Sequence, residues 1–325
     1  MKIPPAYILT STISEYLQTI ESCRAVINSH SIPIEIEKNI RRQSVLKSAL
    51  FSARIEGNPL TLDEITKAPS KDQKKVEVFN ILKAMNEVNR HGARDISTTF
   101  ILKLHQTALK DLAEDPGTYR KEVNAIFNTA GIAIYMPPPP GQVPKTMERL
   151  ITFANSSKEQ FIPIRAVLAH YSFEKVHPFL DGNGRVGRLL LQAILNKNDY
   201  GMKGLLPLEE YLDNHRSEYY NALEDTERDV TNFVEFMLEA IAVTAQKAQE
   251  LMLQKKDASA EDFLLPRRAE IFNIIKDHKL VNFDTIRRRF LSINERTLRY
   301  DLKKLQDTGL IKKRGTTKGV YYEMV

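Results

Sequence analysis

Apolar residues recur at helical spacing through most of this chain. Over residues 34–55, Val45, Leu46, Ala49, Leu50 and Ala53 fall on one face of a 3.6-residue repeat, which predicts a helix there. Gly57 follows where a C-terminal cap is needed, and Pro59 prevents continuation. Thr61-Leu-Asp-Glu64 has the form of a capping box and predicts a short helix after it. The same reading gives helices over 76–89, 97–112, 145–155, 164–176, 185–196, 209–224 and 231–256. Residues 123–140 break the pattern. Ile132, Ala133, Ile134 and Tyr135 run into four prolines, Pro137 to Pro140, which exclude helix and suit a short hairpin. A rigid polyproline linker is the alternative. Residues 1–33 give no prediction.

Lys255-Lys256-Asp257-Ala-Ser-Ala marks a linker at 254–262. Three helical segments follow, at 266–276, 283–290 and 294–308, then a segment at 310–314, a Gly-containing turn at 315–319 and a last segment at 320–324. Leu298, Leu302 and Leu305 supply the buried stripe of the third helix, and Arg296, Arg299, Lys303 and Lys304 decorate it. Three helices and a terminal hairpin have the layout of a winged helix, with phosphate contacts or a protein partner as its uses. The expected fold is therefore mainly α, in three regions: 1–95, 96–253 and a winged-helix-like 263–325.

The 325 residues are 42% hydrophobic and 27% charged, as in soluble globular proteins. No apolar run approaches the roughly 18 residues of a membrane span, and Met1-Lys-Ile-Pro-Pro opens no signal peptide. Cys23 is the only cysteine, which excludes a disulfide within the chain and argues against a thiolate zinc site. A cytoplasmic location fits. The net charge of +6 is unevenly spread: residues 261–325 hold 15 Lys and Arg against 9 Asp and Glu, leaving 32 of each before them. That excess points the tail toward an anionic partner such as DNA.

One stretch carries chemistry: His177-Pro-Phe-Leu-Asp181-Gly-Asn-Gly-Arg185-Val-Gly-Arg188, followed by the apolar Leu189, Leu190 and Leu191. Gly182-Asn183-Gly184 delivers the chain into a helix N-terminus, where free N–H groups and the dipole favour an anion. Arg185 and Arg188, at i,i+3, face the same place. Asp181 stands where a Mg²⁺ accompanying a polyphosphate is held.

Residue for residue, the stretch resembles the signature of the Fic family, His-x-Phe-x-Asp/Glu-Gly-Asn-Gly-Arg-x-x-Arg. The resemblance spans roughly residues 34–247. It implies a Fic-type helical bundle with a β-hairpin flap, and transfer of AMP from ATP to a Tyr, Thr or Ser hydroxyl of a target protein and of the enzyme itself. It gives His177 the role of base and Asp181 that of metal ligand. Nucleotide contacts fall to Asp181, Gly182, Asn183, Gly184, Arg185, Val186, Gly187 and Arg188, with the Asn183 amide among the phosphate donors. Flap residues Ile132, Ala133, Ile134 and Tyr135 join them, and Tyr219 packs on the adenine. Gly117-Thr-Tyr-Arg120 resembles the family's approach to the flap. Where the family often has an Asn for the base, Asp225-Thr226-Glu227 stands here. His105 and His170 read as core histidines.

Ser52-Ala-Arg-Ile-Glu56-Gly57 resembles the family's inhibitory motif, in which the Glu pairs with the second arginine, here Arg188. Its position before the core implies an intramolecular brake. The implied substrates and partners are ATP with Mg²⁺ and a hydroxyl-bearing protein, with DNA and a second copy of the chain as further candidates and no membrane. Removal of AMP by the same fold, with Glu56 positioning water, is the runner-up, beside transfer of another phosphate-containing group. A nucleotide-sensing DNA-binding regulator is the reading from another class.

Overall fold

The computed structural model describes every residue except 31–33, 68–71, 128–132, 255–263, 265, 291–292 and 316–318. The chain divides into two compact units, Met1–Ser31 with Arg41–Leu251, and Ile32–Ile40 with Met252–Val325. The 95/96 boundary drawn from sequence falls inside the first unit.

The chain opens with α1 (Ser11–Ser29), which the sequence reading left unassigned. Its buried stripe of Ile13, Leu17, Ile20, Cys23 and Ile27 is narrow, one residue per turn among Ser, Thr and charged neighbours. The Thr10 hydroxyl starts it by accepting the Ile13 N–H at 3.1 Å. Then come α2 (Ile34–Ile55), α3 (Leu62–Lys67) and α4 (Gln73–His91), the last capped by Asp72. The capping box before α3 forms: the Glu64 carboxylate accepts from the Thr61 N–H at 2.9 Å. α5 (Thr98–Ala108) stops four residues short of its expected end.

Strands β1 (Ile126–Phe127) and β2 (Ala133–Tyr135) pair antiparallel, so the proline-flanked segment does form a hairpin. α6 (Val143–Asn155) leads to α7 (Ile162–Val176), which has Pro163 in its first turn, where the missing N–H costs nothing. α7 is buried nearly all round, including Arg165, His170, Ser172 and Glu174, and packs on α8 (Asn183–Lys197). The predicted 209–224 helix is two, α9 (Leu208–Asn214) and α10 (Arg216–Leu223), broken at His215. α11 (Thr231–Gln254) follows. Apolar periodicity runs through the break, which is why it went unseen.

The second unit contains α12 (Pro266–His278), β3 (Leu280–Asn282), α13 (Phe283–Arg289), α14 (Glu295–Asp307), β4 (Ile311–Arg314) and β5 (Tyr321–Met324). The strands form one antiparallel sheet in the order β3-β5-β4. Leu298, Leu302 and Leu305 enter a core with Ile271, Ile275, Val281 and Ile286. The three-residue β3 was missed, being too short for alternation to register. Among the described residues no helix is long and apolar enough to cross a membrane.

Candidate active site

The site lies on the turn from α7 to α8. His177 caps α7 in the left-handed conformation, φ 48° and ψ 59°, uncommon for a residue with a side chain. Its Nδ1 is 3.3 Å from the Glu174 carbonyl oxygen. With the proton on Nδ1 donating to that oxygen, Nε2 presents a free lone pair. Burial lowers the imidazole pKa below its ordinary value and Arg120 adds to this, against Glu56 and Asp181, which raise it. The ring is therefore neutral at pH 7, as a base must be.

The turn is fixed from inside. The buried Asn183 side chain accepts the Phe179 N–H at 2.9 Å and donates back to the Phe179 carbonyl at 2.8 Å. This corrects the expected use of the Asn183 amide on phosphate: its side chain is committed to the loop. The Phe179 ring stacks on His105 at 3.7 Å. The Gly117 N–H donates to His105 Nδ1 at 2.7 Å, so the ring proton sits on Nε2 and donates to the Asp181 carbonyl at 3.1 Å. His105 is thus a core histidine that also orients the signature. Its distance in sequence, 76 residues, hid that role.

α8 begins at Gly182 with no side chain capping it, leaving the first N–H groups of the helix without a side-chain acceptor. Arg185 flanks them on one side, paired with Glu77 of α4 at 2.6 Å and with Asp181 at 2.7 Å. Arg188 flanks the other, 2% exposed. It donates to Ser52 Oγ at 3.1 Å, to the Ser52 carbonyl at 2.9 Å and to Glu56 Oε1 at 2.9 Å. Burial opposes the Arg188 charge, but the Glu56 carboxylate, with Tyr219 and Tyr220 beside it, holds the pKa up.

The Glu56 carboxylate lies against Gly184. A Cβ there would stand 2.5 Å from Glu56 Oε1, so glycine is required for this approach. A side-chain anion therefore sits beside the uncapped helix start, with the second arginine as counter-ion. α2 ends at Ile55, and Gly57, φ 95°, turns the chain just beyond. Two further contacts secure that end: Arg54 reaches Asp213 at 3.1 Å, and Asn58 donates to Glu77 Oε2 at 2.9 Å. Glu77, Asn58 and Asp213 escaped the sequence reading, since no motif ties them to the signature.

Beneath the site, Gly187 gives room to buried Glu174 and His170; its Cβ would meet Glu174 Oε1 at 2.1 Å. Burial pushes the Glu174 carboxyl up to about 8 and the His170 imidazole down to about 3, so both are predominantly neutral at pH 7. His170 Nε2 meets the Tyr219 hydroxyl at 2.8 Å. Tyr219 is 1% exposed, while its neighbour Tyr220 is 42% exposed. The backbone of Ala133, Ile134 and Tyr135 forms β2, and Lys175 lies over the Tyr135 ring at 4.6 Å. Ile132 is outside the described residues. Val186, buried in the first turn of α8, faces the core.

Asp181 is a carboxylate at the mouth, its side chain 62% exposed. No group of three or more His, Cys, Asp or Glu among the described residues could cage a metal. That donor set fits a Mg²⁺ arriving on phosphates, which needs one or two protein carboxylates and keeps its other oxygens from nucleotide and water.

Residues 95–195 match the Fic/DOC family. A probable protein adenylyltransferase of Aquifex aeolicus is 26% identical over 283 residues, 85% of this chain and 82% of its own. The protein adenylyltransferase Fic of Drosophila melanogaster is 28% identical over 264 residues, 76% of this chain; the chain spans 50% of that relative's length. Two solved structures share the fold: a Fic family protein from Desulfovibrio desulfuricans, TM-score 0.68 at 24% identity over 99% of this chain and 98% of that one, and Fic-1 of C. elegans, TM-score 0.61 at 23% identity over 75% and 73%. The signature turn lies inside the matched segment, and this chain carries a Fic domain.

Proposed function

We propose that this chain is a protein adenylyltransferase held back by its own α2, moving AMP from ATP to a hydroxyl side chain of a target protein and of itself. The observation that carries this reading is the Glu56 carboxylate at the start of α8, on Arg188 and against Gly184. An anion already occupies the place that favours a phosphate.

The α8 N–H groups and Arg185 bind phosphate oxygens, and Arg188 joins them once Glu56 has left. Asp181 holds the Mg²⁺, which when bound offsets phosphate charge. Neutral His177 accepts the proton of the incoming hydroxyl at Nε2 as the hydroxyl oxygen bonds to the α-phosphorus. Pyrophosphate leaves, its growing charge met by the arginines and the helix start. The β1–β2 hairpin aligns the target's main chain. Tyr219 is the buried support of the base pocket, and Tyr220, 42% exposed, is the ring an adenine packs on.

Incubation with ATP labelled at the α-phosphate tests the reading. Wild type should label slowly and Glu56→Gly about 10–100-fold faster, the scale of a charged hydrogen bond of about 1.5–3 kcal/mol. Equal rates, or no label in either, would sink it.

The second unit we read as a winged-helix-like module that binds DNA. Arg296 and Lys303 are exposed on α14 and make no ion pair among the described residues, whereas Arg299 and Lys304 pair with Glu295 and Asp307. Duplex binding that weakens steeply with salt supports this. No binding at low salt turns the reading to a protein partner.

A further inference from the structure

Arg120 is buried, 4% exposed, and among the described residues it has no carboxylate partner. Its guanidinium spends itself on carbonyl oxygens instead. Nε donates to the His177 carbonyl at 2.8 Å. One terminal nitrogen donates to the Glu122 carbonyl at 3.0 Å; the other donates to the Pro138 carbonyl at 2.5 Å and, longer, to Val176 at 3.4 Å. Its own N–H donates to the Pro178 carbonyl at 2.9 Å.

These acceptors belong to two structures that must meet. Val176 and His177 close α7 at the negative end of its dipole, where a cation is favoured. Glu122 and Pro138 stand before β1 and after β2, the two roots of the hairpin. A planar fork with five N–H groups can span acceptors on both sides; an ammonium, whose donors leave one point, cannot.

We propose that Arg120 is the positioning residue that holds His177 and both roots of the hairpin in one frame, so that a hydroxyl aligned by the hairpin meets Nε2 of the base. This rests on the transferase reading above. A buried cation without an ionised partner is costly, and here the carbonyls of base and hairpin satisfy it. The left-handed backbone of His177 needs such a hold, because a residue with a side chain leaves that conformation when it can. Gly117 works from the same segment: through His105 it fixes the Asp181 carbonyl. Residues 117–120 thus grip the signature loop at both ends. The Arg120 charge also faces the His177 imidazole, opposed there by Glu56 and Asp181.

The test uses the full chain in a Glu56→Gly background, with Arg120→Gln and Arg120→Lys. Thermal melts report folding, calorimetry reports ATP binding, and NMR follows the His177 titration and exchange of the Ala133–Tyr135 amides. In both variants kcat should fall about 10–100-fold, the cost of a misplacement near 1 Å, with the dissociation constant for ATP within about twofold. The hairpin amides should exchange faster in both. The His177 titration should move up in Arg120→Gln and stay in Arg120→Lys, which keeps the charge but not the fork. Parent rates in both variants would overturn the proposal. So would ATP affinity falling as far as kcat, or failure of both to fold, which would make Arg120 a residue of the fold alone. If the Glu56→Gly parent transfers nothing, the transferase reading fails instead. The His177 titration and the amide exchange need no substrate and still decide on Arg120.

Discussion

The two sides of the α8 N-terminus use the same residue type three positions apart and treat it in opposite ways. Arg188 is sealed under α2, with Ser52 and Glu56 as its partners. Arg185 looks toward the mouth, between Glu77 and an Asp181 whose side chain is 62% exposed. Both pairs have short N–O distances, 2.9 and 2.6 Å, so distance does not separate them. Burial does. A charge sealed from water depends on its partner, and removing one member of such a pair costs several times what it costs at the surface. Asp181 and Arg185 can be re-partnered by phosphate and metal with little loss, whereas Arg188 changes hands only if α2 gives up Glu56. The inner side is a lock and the outer side a ligand set.

The largest effect should come from removing the locked arginine. Self-labelling by Arg188→Ala should be about 10²–10³-fold slower than by Glu56→Gly, the scale for losing one donor to developing charge. Adding Glu56→Gly should not restore it, because both changes act through the same guanidinium and cannot add independently. Initial rates for the two single variants and the double complete the cycle. A fully active double variant would mean that Glu56 restrains something other than Arg188.

The outer side should respond less. Glu77→Gln removes the charge and leaves a single acceptor oxygen where Asn58 and Arg185 now have one each. It should change KM for ATP by about tenfold and leave kcat alone, since Asp181 remains to offset the Arg185 charge and the loss is that of one hydrogen bond, about 1 kcal/mol. Steady-state kinetics over a range of ATP concentrations measure this. If Glu77→Gln accelerated transfer as Glu56→Gly does, both sides would be locks and the contrast would collapse.

That contrast was only half legible in the sequence. His177, Asp181, Arg185 and Arg188 lie within one segment, and Ser52 and Glu56 within one helix turn, so fixed spacing exposed both. Glu77, Asn58, Asp213 and His105 meet the site from other elements, and nothing local marks a residue whose partner is 76 or 108 positions away. Arg120 is harder still, because its partners are backbone carbonyls, which every residue has. Asn183 shows the converse error: its type suits a phosphate, but its side chain closes the loop on Phe179. In the fold, periodicity found the long helices and missed α1, the break at His215 and β3, where the stripe was thin, ran through the break, or had three residues to register in.

The smallest effect concerns the floor of the locked side and decides what Arg188 is paired with. Glu174 lies beneath it, its Oε1 without a hydrogen-bond partner among the described residues and 3.7 Å from His170 Nδ1. Burial raises its pKa from 4.5 to about 8, although the Arg188 charge pulls the other way. The folded chain therefore holds a proton that the unfolded chain gives up near pH 4.5. Stability from this group is present below that pH and is lost as pH rises through about 8, flat beyond. His105 and His177, both lowered, act in the opposite sense, losing stability as pH falls below 6.5. Glu174→Gln isolates the carboxyl, since Gln cannot ionise and the other groups are unchanged. Between pH 6 and 8.5 the melting temperature of wild type should fall relative to Glu174→Gln, by a few degrees for each roughly 1 kcal/mol lost. Parallel profiles would mean that Glu174 is ionised at neutral pH and already shares Arg188. In that case Glu56→Gly would leave the arginine on a second buried carboxylate, and the inner side would stay locked after α2 had let go.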